Sequence, residues 1–181
     1  LPFMNDVVRW VGALRNHYKS TPLSPEALVA TCRSLANILI SGKLKDHPEY
    51  GKILTLAIGC FIKLSSDETL QVWSVADECL LTVIKPLIRR FPTRILSELL
   101  KGIKSGEGRA QRSSLEKFSQ LCCYINPQKC RNFVALLLEN LVDIIKNGNS
   151  MIQETIGNSI DSLCATLLFY VREVESQTLL Q

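Results

Sequence analysis

Apolar residues recur at helical spacing along most of the chain, and the clearest run is DETLQVWSVADECLLTVIKPLIRR, residues 67–90. Val72, Val75, Ala76, Cys79, Leu80, Val83, Ile84 and Leu87 fall at i, i+3, i+4, i+7, i+8, i+11, i+12 and i+15, which puts them on one side of a helix. Ser66 or Asp67 is placed to cap its start, a side-chain oxygen accepting an otherwise orphan backbone N–H. Pro86 removes the N–H that would bond the Thr82 carbonyl, so a kink or break is expected near the far end. A helix with one wide apolar side needs neighbours to lie against.

The chain supplies them. Val7, Trp10, Val11, Leu14 and Tyr18 predict a first helix over about 4–19. Ser24-Pro25, a capping hydroxyl followed by proline at the first helical position, opens a second. It carries Leu28, Cys32, Leu35 and Leu39 inward and stops at Gly42, suited to a left-handed C-terminal position. Asp46-His47-Pro48-Glu49 reads as a capping box opening a third helix over about 47–64, with Ile53, Leu56, Ala57, Cys60, Phe61 and Leu64 buried. Phe91-Pro92 breaks the chain before a fifth helix bearing Ile95, Leu96, Leu99, Leu100 and Ile103, and a sixth uses Ala110, Ser114, Leu115, Phe118, Leu121 and Cys122. Asn126-Pro127 opens a seventh with Cys130, Val134, Leu137, Leu138, Leu141 and Ile145. Beyond Asn147-Gly148-Asn149 an eighth carries Ile152, Thr155, Ile156, Ile160, Leu163 and Leu167, and a ninth begins near Arg172. No stretch alternates as a strand does, so the expected fold is all-α.

These helices also pair. Asp46, Pro92 and Pro127 open long, broadly apolar runs, while Asp67, Gly106 and Ser150 open helices with small residues (Ala76, Ser114, Thr155) near the start of the stripe. Two-helix units recurring at about forty residues match the HEAT/armadillo class, in which each unit buries its face only against its neighbours. A compact helical bundle shares that periodicity. The expected architecture is an α-solenoid of antiparallel helix pairs, about eight to nine helices, as a single HEAT-like repeat domain over 1–181. Its pairs fall near 4–42, 46–90, 92–125 and 127–169, with a further helix started at 171–181.

Composition fits this picture. With 181 residues, 46% hydrophobic and 21% charged, the chain is long enough to bury a core and too apolar for a disordered tail. Asp6, Arg9 and Arg15 stand where a signal peptide would be apolar, and the longest apolar run, 53–62, is well short of the roughly 20 residues a membrane crossing needs. A soluble, cytoplasmic chain is expected, with nuclear or vesicle-associated pools also compatible. Leu1 as first residue and a last helix running off Gln181 read as a piece of a longer protein, whose cut ends would favour self-association. Seven cysteines, Cys32, Cys60, Cys79, Cys122, Cys123, Cys130 and Cys164, form no CxxC, and most sit on apolar stripes. They read as buried, reduced thiols. The vicinal pair Cys122-Cys123 is the one metal or redox candidate, disfavoured because adjacent helical side chains point apart.

Little else offers chemistry. His17 and His47 lack a ligand partner at helical spacing and read as structural or surface residues; GEG at 106–108 is an inter-helix turn, not a phosphate loop after a strand. No serine lies in a GxSxG setting, and Asp67-Glu68 and Asp77-Glu78 are side-by-side carboxylates that diverge on a helix. No catalytic residue, cofactor or metal is assigned. Charge is more informative: residues 85–131 hold eleven Lys/Arg against three acidic residues, Glu98, Glu107 and Glu116. Arg89, Arg90, Arg94, Lys101, Lys104, Arg109 and Arg112 are the candidate contact patch for acidic protein, membrane head groups or nucleic acid. The competing reading is a solvated rim of inter-helix turns.

Three segments in order, VADECL (75–80), NPQKCR (126–131) and QET (153–155), resemble the N-terminal HEAT repeats of the huntingtin family. The resemblance runs from about residue 50 to the C-terminus; no polyglutamine run or proline-rich tract accompanies it, as expected either of a chain that starts after that region or of a divergent or invertebrate member. It implies a large, non-catalytic cytoplasmic scaffold engaged in vesicle and organelle transport and in autophagy. It also implies contacts with a huntingtin-associated protein, dynein–dynactin, kinesin adaptors and the remaining HEAT repeats of a longer chain. None of these partners has a motif on numbered residues here. The alternative is a binder of anionic surfaces, membrane phospholipid or nucleic acid, through the basic 85–131 stretch.

Overall fold

The computed structural model describes residues 2–105, 108–121 and 153–157, with single positions 124, 126, 132, 133, 135, 136, 139, 140, 142, 143, 146, 147 and 172. Six helices are bounded in it: α1 (Pro2–Asn16), α2 (Pro25–Ile40), α3 (Tyr50–Leu64), α4 (Leu70–Leu87), α5 (Pro92–Ser105) and α6 (Gly108–Leu121). No strand occurs among the described residues. The chain divides into two compact units, Leu1–Glu98 and Leu99–Gln181, so that α5 starts in one and continues in the other.

The first unit is built in two layers. α1 packs on α2 and α3, while α4 packs on α3 and, most extensively, on α2; α2 and α3 meet only lightly. Helices 1 and 3 thus form one layer, 2 and 4 the other, and each pair leans on the next. Direction alternates along the chain. Phe3 at the start of α1 lies under the Lys43 ammonium beyond the end of α2, whereas Tyr18 beyond α1 reaches Asp67 beyond α3.

Most boundaries follow from local chemistry. Ser24 Oγ accepts the Ala27 N–H at 3.1 Å with Pro25 at the head of α2, and Gly42 takes φ +80° just past its end. α4 ends one residue after Pro86, and Phe91-Pro92 separates it from α5. The stripe of α4 is buried from Val72 to Ile84 as its spacing predicts, with Leu87 half-buried.

Four details differ from the sequence reading. α1 stops at Asn16, whose carbonyl collects the N–H groups of Lys19, Ser20 and Thr21 (3.1, 3.0 and 3.1 Å). That turn takes Tyr18 off the helix and leaves it 44% exposed. Asp46 and Glu49 form no capping box: His47 Nδ1 accepts the Glu49 N–H at 3.1 Å, and α3 begins only at Tyr50. Leu44, which lies between the predicted second and third helices and on neither stripe, is buried and anchors the α2–α3 turn. Thr69 holds the cap position of α4 without a side-chain capping bond, while Asp67 Oδ1 accepts the Thr69 N–H at 2.9 Å.

α3 differs in kind. Leu54, Ile58 and Ile62 are buried as well as Ile53, Ala57, Cys60, Phe61 and Leu64, whereas Leu56 is only half-buried. A helix apolar nearly all round belongs in the interior of its unit. Its glycines admit polar side chains of α5: a Cβ on Gly51 would lie 2.8 Å from Arg94 Nε, and one on Gly59 would lie 3.5 Å from Glu98 Oε2.

In the second unit α5 buries Leu99, Leu100 and Ile103, and α6 buries Ala110, Ser114, Leu115, Phe118 and Leu121. Gln111 Nε2 donates to the Ile103 carbonyl at 2.9 Å, tying α6 to the end of α5. The inward side of α6 is unusually polar, for Ser113 and Lys117 are buried and Lys117 Nζ donates to Ser113 Oγ at 2.7 Å. Thr155 and Ile156, expected on the eighth helix, are buried. The rest of the predicted seventh to ninth helices, with Cys122, Cys123, Cys130 and Cys164, lies mostly outside the described residues.

Candidate interaction surface

Two knots of side chains hold the ends of the first unit. At one end the Arg90 guanidinium donates to the Lys45 carbonyl at 2.7 Å and stands 5.0 Å from the Phe91 ring and 5.9 Å from the Tyr50 ring. Tyr50 OH donates to the Leu39 carbonyl at 2.6 Å, and its ring tilts against Phe91, centroids 5.5 Å apart. This end joins the tail of α2, the α2–α3 turn, the head of α3 and the α4–α5 turn. Burial pushes the Tyr50 phenol up, partly offset by the Arg90 charge.

At the opposite end Tyr18 OH donates to the Asp67 carboxylate, and Lys63 Nζ lies 5.3 Å over the Tyr18 ring. His17 packs edge-on against Tyr18 and accepts the Leu23 N–H on Nδ1 at 2.8 Å. Burial and then the Asp67 carboxylate hold the Tyr18 phenol above its ordinary value. Burial opposes ionisation of Asp67, but hydrogen bonds from Tyr18 and Thr69 outweigh it and keep that carboxyl below the usual aspartate range. Both histidines are therefore acceptors for turn backbone, as the structural reading of them implied.

The thiols of Cys32, Cys60 and Cys79 are free and buried, one each on α2, α3 and α4. Burial pushes Cys32 up to about 12, with Cys79 and Cys60 adding to it, and burial pushes Cys60 and Cys79 to about 11. Thiols held protonated in an apolar core are poor nucleophiles and poor metal ligands. No group of three or more His, Cys, Asp or Glu among the described residues is arranged to hold a metal ion.

The seven basic residues of the candidate patch divide between the units. Arg89, Arg90 and Arg94 belong to the first, Lys101, Lys104, Arg109 and Arg112 to the second, and all are exposed. Arg90 is held as described, Arg94 Nη1 donates to Thr55 Oγ1 at 3.3 Å, and Arg112 Nε pairs with Glu116 at 3.1 Å. To the end that holds Arg89 and Arg90 the fold brings Lys43 and Lys45 of the α2–α3 turn, which lie outside the basic stretch 85–131, together with Lys85 of that stretch in the last turn of α4. A signal for this existed. Lys45 and Arg90 are 45 residues apart, about one repeat, and turns one repeat apart become neighbours when repeats stack.

Comparison with known proteins decides the relationship. Residues 61–181 match the family described as Huntingtin, N-terminal HEAT 1. The chain belongs to the huntingtin family. It is 34% identical over 154 residues to huntingtin of Takifugu rubripes, a stretch covering 84% of this chain and 5% of that protein. It is 32% identical over 76 residues to the HD protein homolog of Dictyostelium discoideum, 42% of this chain and 2% of that one. The chain thus spans a small part of the huntingtin-family proteins it matches, and the fish relationship reaches further along it than the N-terminal HEAT 1 match does.

Proposed function

We propose that this chain is a segment of an α-solenoid scaffold whose work is to hold proteins on its surfaces and not to catalyse. The observation behind this reading is the spacing of the ties within the first unit. Arg94–Thr55, Arg90–Lys45 and Tyr18–Asp67 link residues 39, 45 and 49 apart, each about one two-helix repeat. Units that bond to the next unit along the chain propagate as an elongated stack, leaving long outer surfaces for partners. Family membership supports the same reading.

On this proposal the whole protein is cytoplasmic and serves vesicle and organelle transport and autophagy. Its partners are a huntingtin-associated protein, dynein–dynactin and kinesin adaptors. Proximity labelling with the whole protein tests it: enrichment of motor adaptors and of the associated protein is expected. Labelling no different from that of an unrelated solenoid of equal charge would overturn it. The second reading, an anionic membrane or nucleic acid held along 85–131, has less behind it. Arg90, Arg94 and Arg112 already spend donors within the chain.

A further inference from the structure

The Arg90 end of the first unit carries charge that the chain does not neutralise. Lys43, Lys45, Lys85, Arg89, Arg90 and Arg94 all stand there, and none is paired with a carboxylate among the described residues. The acidic groups in the same turn are Asp46 and Glu49, and Glu49 lies 3.8 Å from Lys52. At the opposite end the signs are mixed: Arg15, Lys19 and Lys63 stand with Glu26, Asp67 and Glu68. Helix dipoles do not offset this charge, because α2 and α4 bring their negative C-termini to this end while α1, α3 and α5 bring their positive N-termini.

The six cations are not equivalent. Arg90 and Arg94 donate to neutral oxygens and fix the turns, whereas Lys45, Lys85 and Arg89 are exposed and Lys43 sets its ammonium over the Phe3 ring at the surface. Phe3, 40% exposed beneath Lys43, adds an apolar contact at the edge of the row.

We propose that this end, presenting Lys43, Lys45, Lys85 and Arg89 around the fixed Arg90, docks an acidic segment of a partner protein. The assignment rests on the scaffold reading and names the partner chemistry of one of its surfaces. A peptide can set its carboxylates against the four cations and pass Asp46 and Glu49 without opposing them. A bilayer presents a uniform negative plane that those two carboxylates would meet. A single-stranded nucleic acid needs a series of open aromatic faces for stacking, but Tyr50 is buried, Phe91 lies under the Arg90 guanidinium and Phe3, the one exposed ring here among the described residues, lies under the Lys43 ammonium.

Fluorescence anisotropy of a labelled oligoglutamate peptide against the 181-residue chain tests this directly. Saturable binding that weakens steeply with added salt is expected. The triple variant Lys45→Glu, Lys85→Glu, Arg89→Glu should lose about tenfold or more in affinity while melting like wild type, because these side chains lie outside the fixed contacts. Arg89→Glu alone should carry part of that loss. Arg15→Glu with Lys19→Glu at the other end should change affinity less than about twofold. The proposal is overturned if the peptide does not bind, if the triple variant binds as wild type, or if both ends respond alike. It is also overturned if phosphatidylserine vesicles or oligouridine bind as tightly and compete. A flat peptide titration would leave the scaffold reading standing, since proximity labelling tests that separately.

Discussion

Single residues decide where the turns of this chain are pinned. Arg90 is the clearest, with a backbone carbonyl at 2.7 Å and two rings under its guanidinium, while its neighbour Arg89 is exposed and makes no such contact. Arg90→Ala should therefore cost about 1–2 kcal/mol in urea unfolding, and Arg89→Ala should stay within about 0.5. At the other end Asp67 supplies a pH dependence. Its carboxyl is depressed in the folded chain, so its contribution is present above the unfolded value of about 3.9 and is lost as pH falls through the lower folded value. Side-chain NMR titration should find Asp67 ionising below free aspartate, and Tyr18→Phe, which removes the phenol donor, should move it upward. Neither contact was legible in sequence. Periodicity assigned Tyr18 to a helical stripe, but the three N–H groups gathered by the Asn16 carbonyl end that helix first.

Individual helices were far more legible, because burial on one side repeats at a fixed interval and leaves its mark on composition. Val72 to Ile84 are buried as their spacing required, and Ser24-Pro25 and Phe91-Pro92 set boundaries where expected. α3 is buried nearly all round where its spacing predicts a single stripe, since a pattern cannot show how many neighbours a helix will have. The capping box failed for a related reason, a local motif losing to the His47 acceptor and the buried Leu44. Gly59→Ala should raise stability by about 0.5–1 kcal/mol, because a methyl fits 3.5 Å from Glu98 and alanine suits a helix interior better than glycine. A melting temperature below wild type would mean that α5 sits closer than this. Leu80→Asp, at a fully buried position of α4, should cost several kcal/mol and abolish cooperative melting followed by circular dichroism.

At the scale of the whole molecule, repeat spacing is the link between sequence and purpose. Helix pairs about forty residues apart were visible in the pattern, and the ties of the first unit join residues at the same interval. The surface was only half visible: charge counting found Arg89 and Arg90, whereas Lys43 and Lys45 join them only once neighbouring turns are brought together. Amide hydrogen exchange on the intact chain, read by mass spectrometry, tests the layered stack. If α3 and α4 lie between neighbours as described, amides of 53–64 and 72–84 exchange slowest, those of α1 are intermediate, and those of 17–24, bonded only within their own turn, exchange fastest. Exchange in α3 as fast as in the 17–24 turn would contradict it.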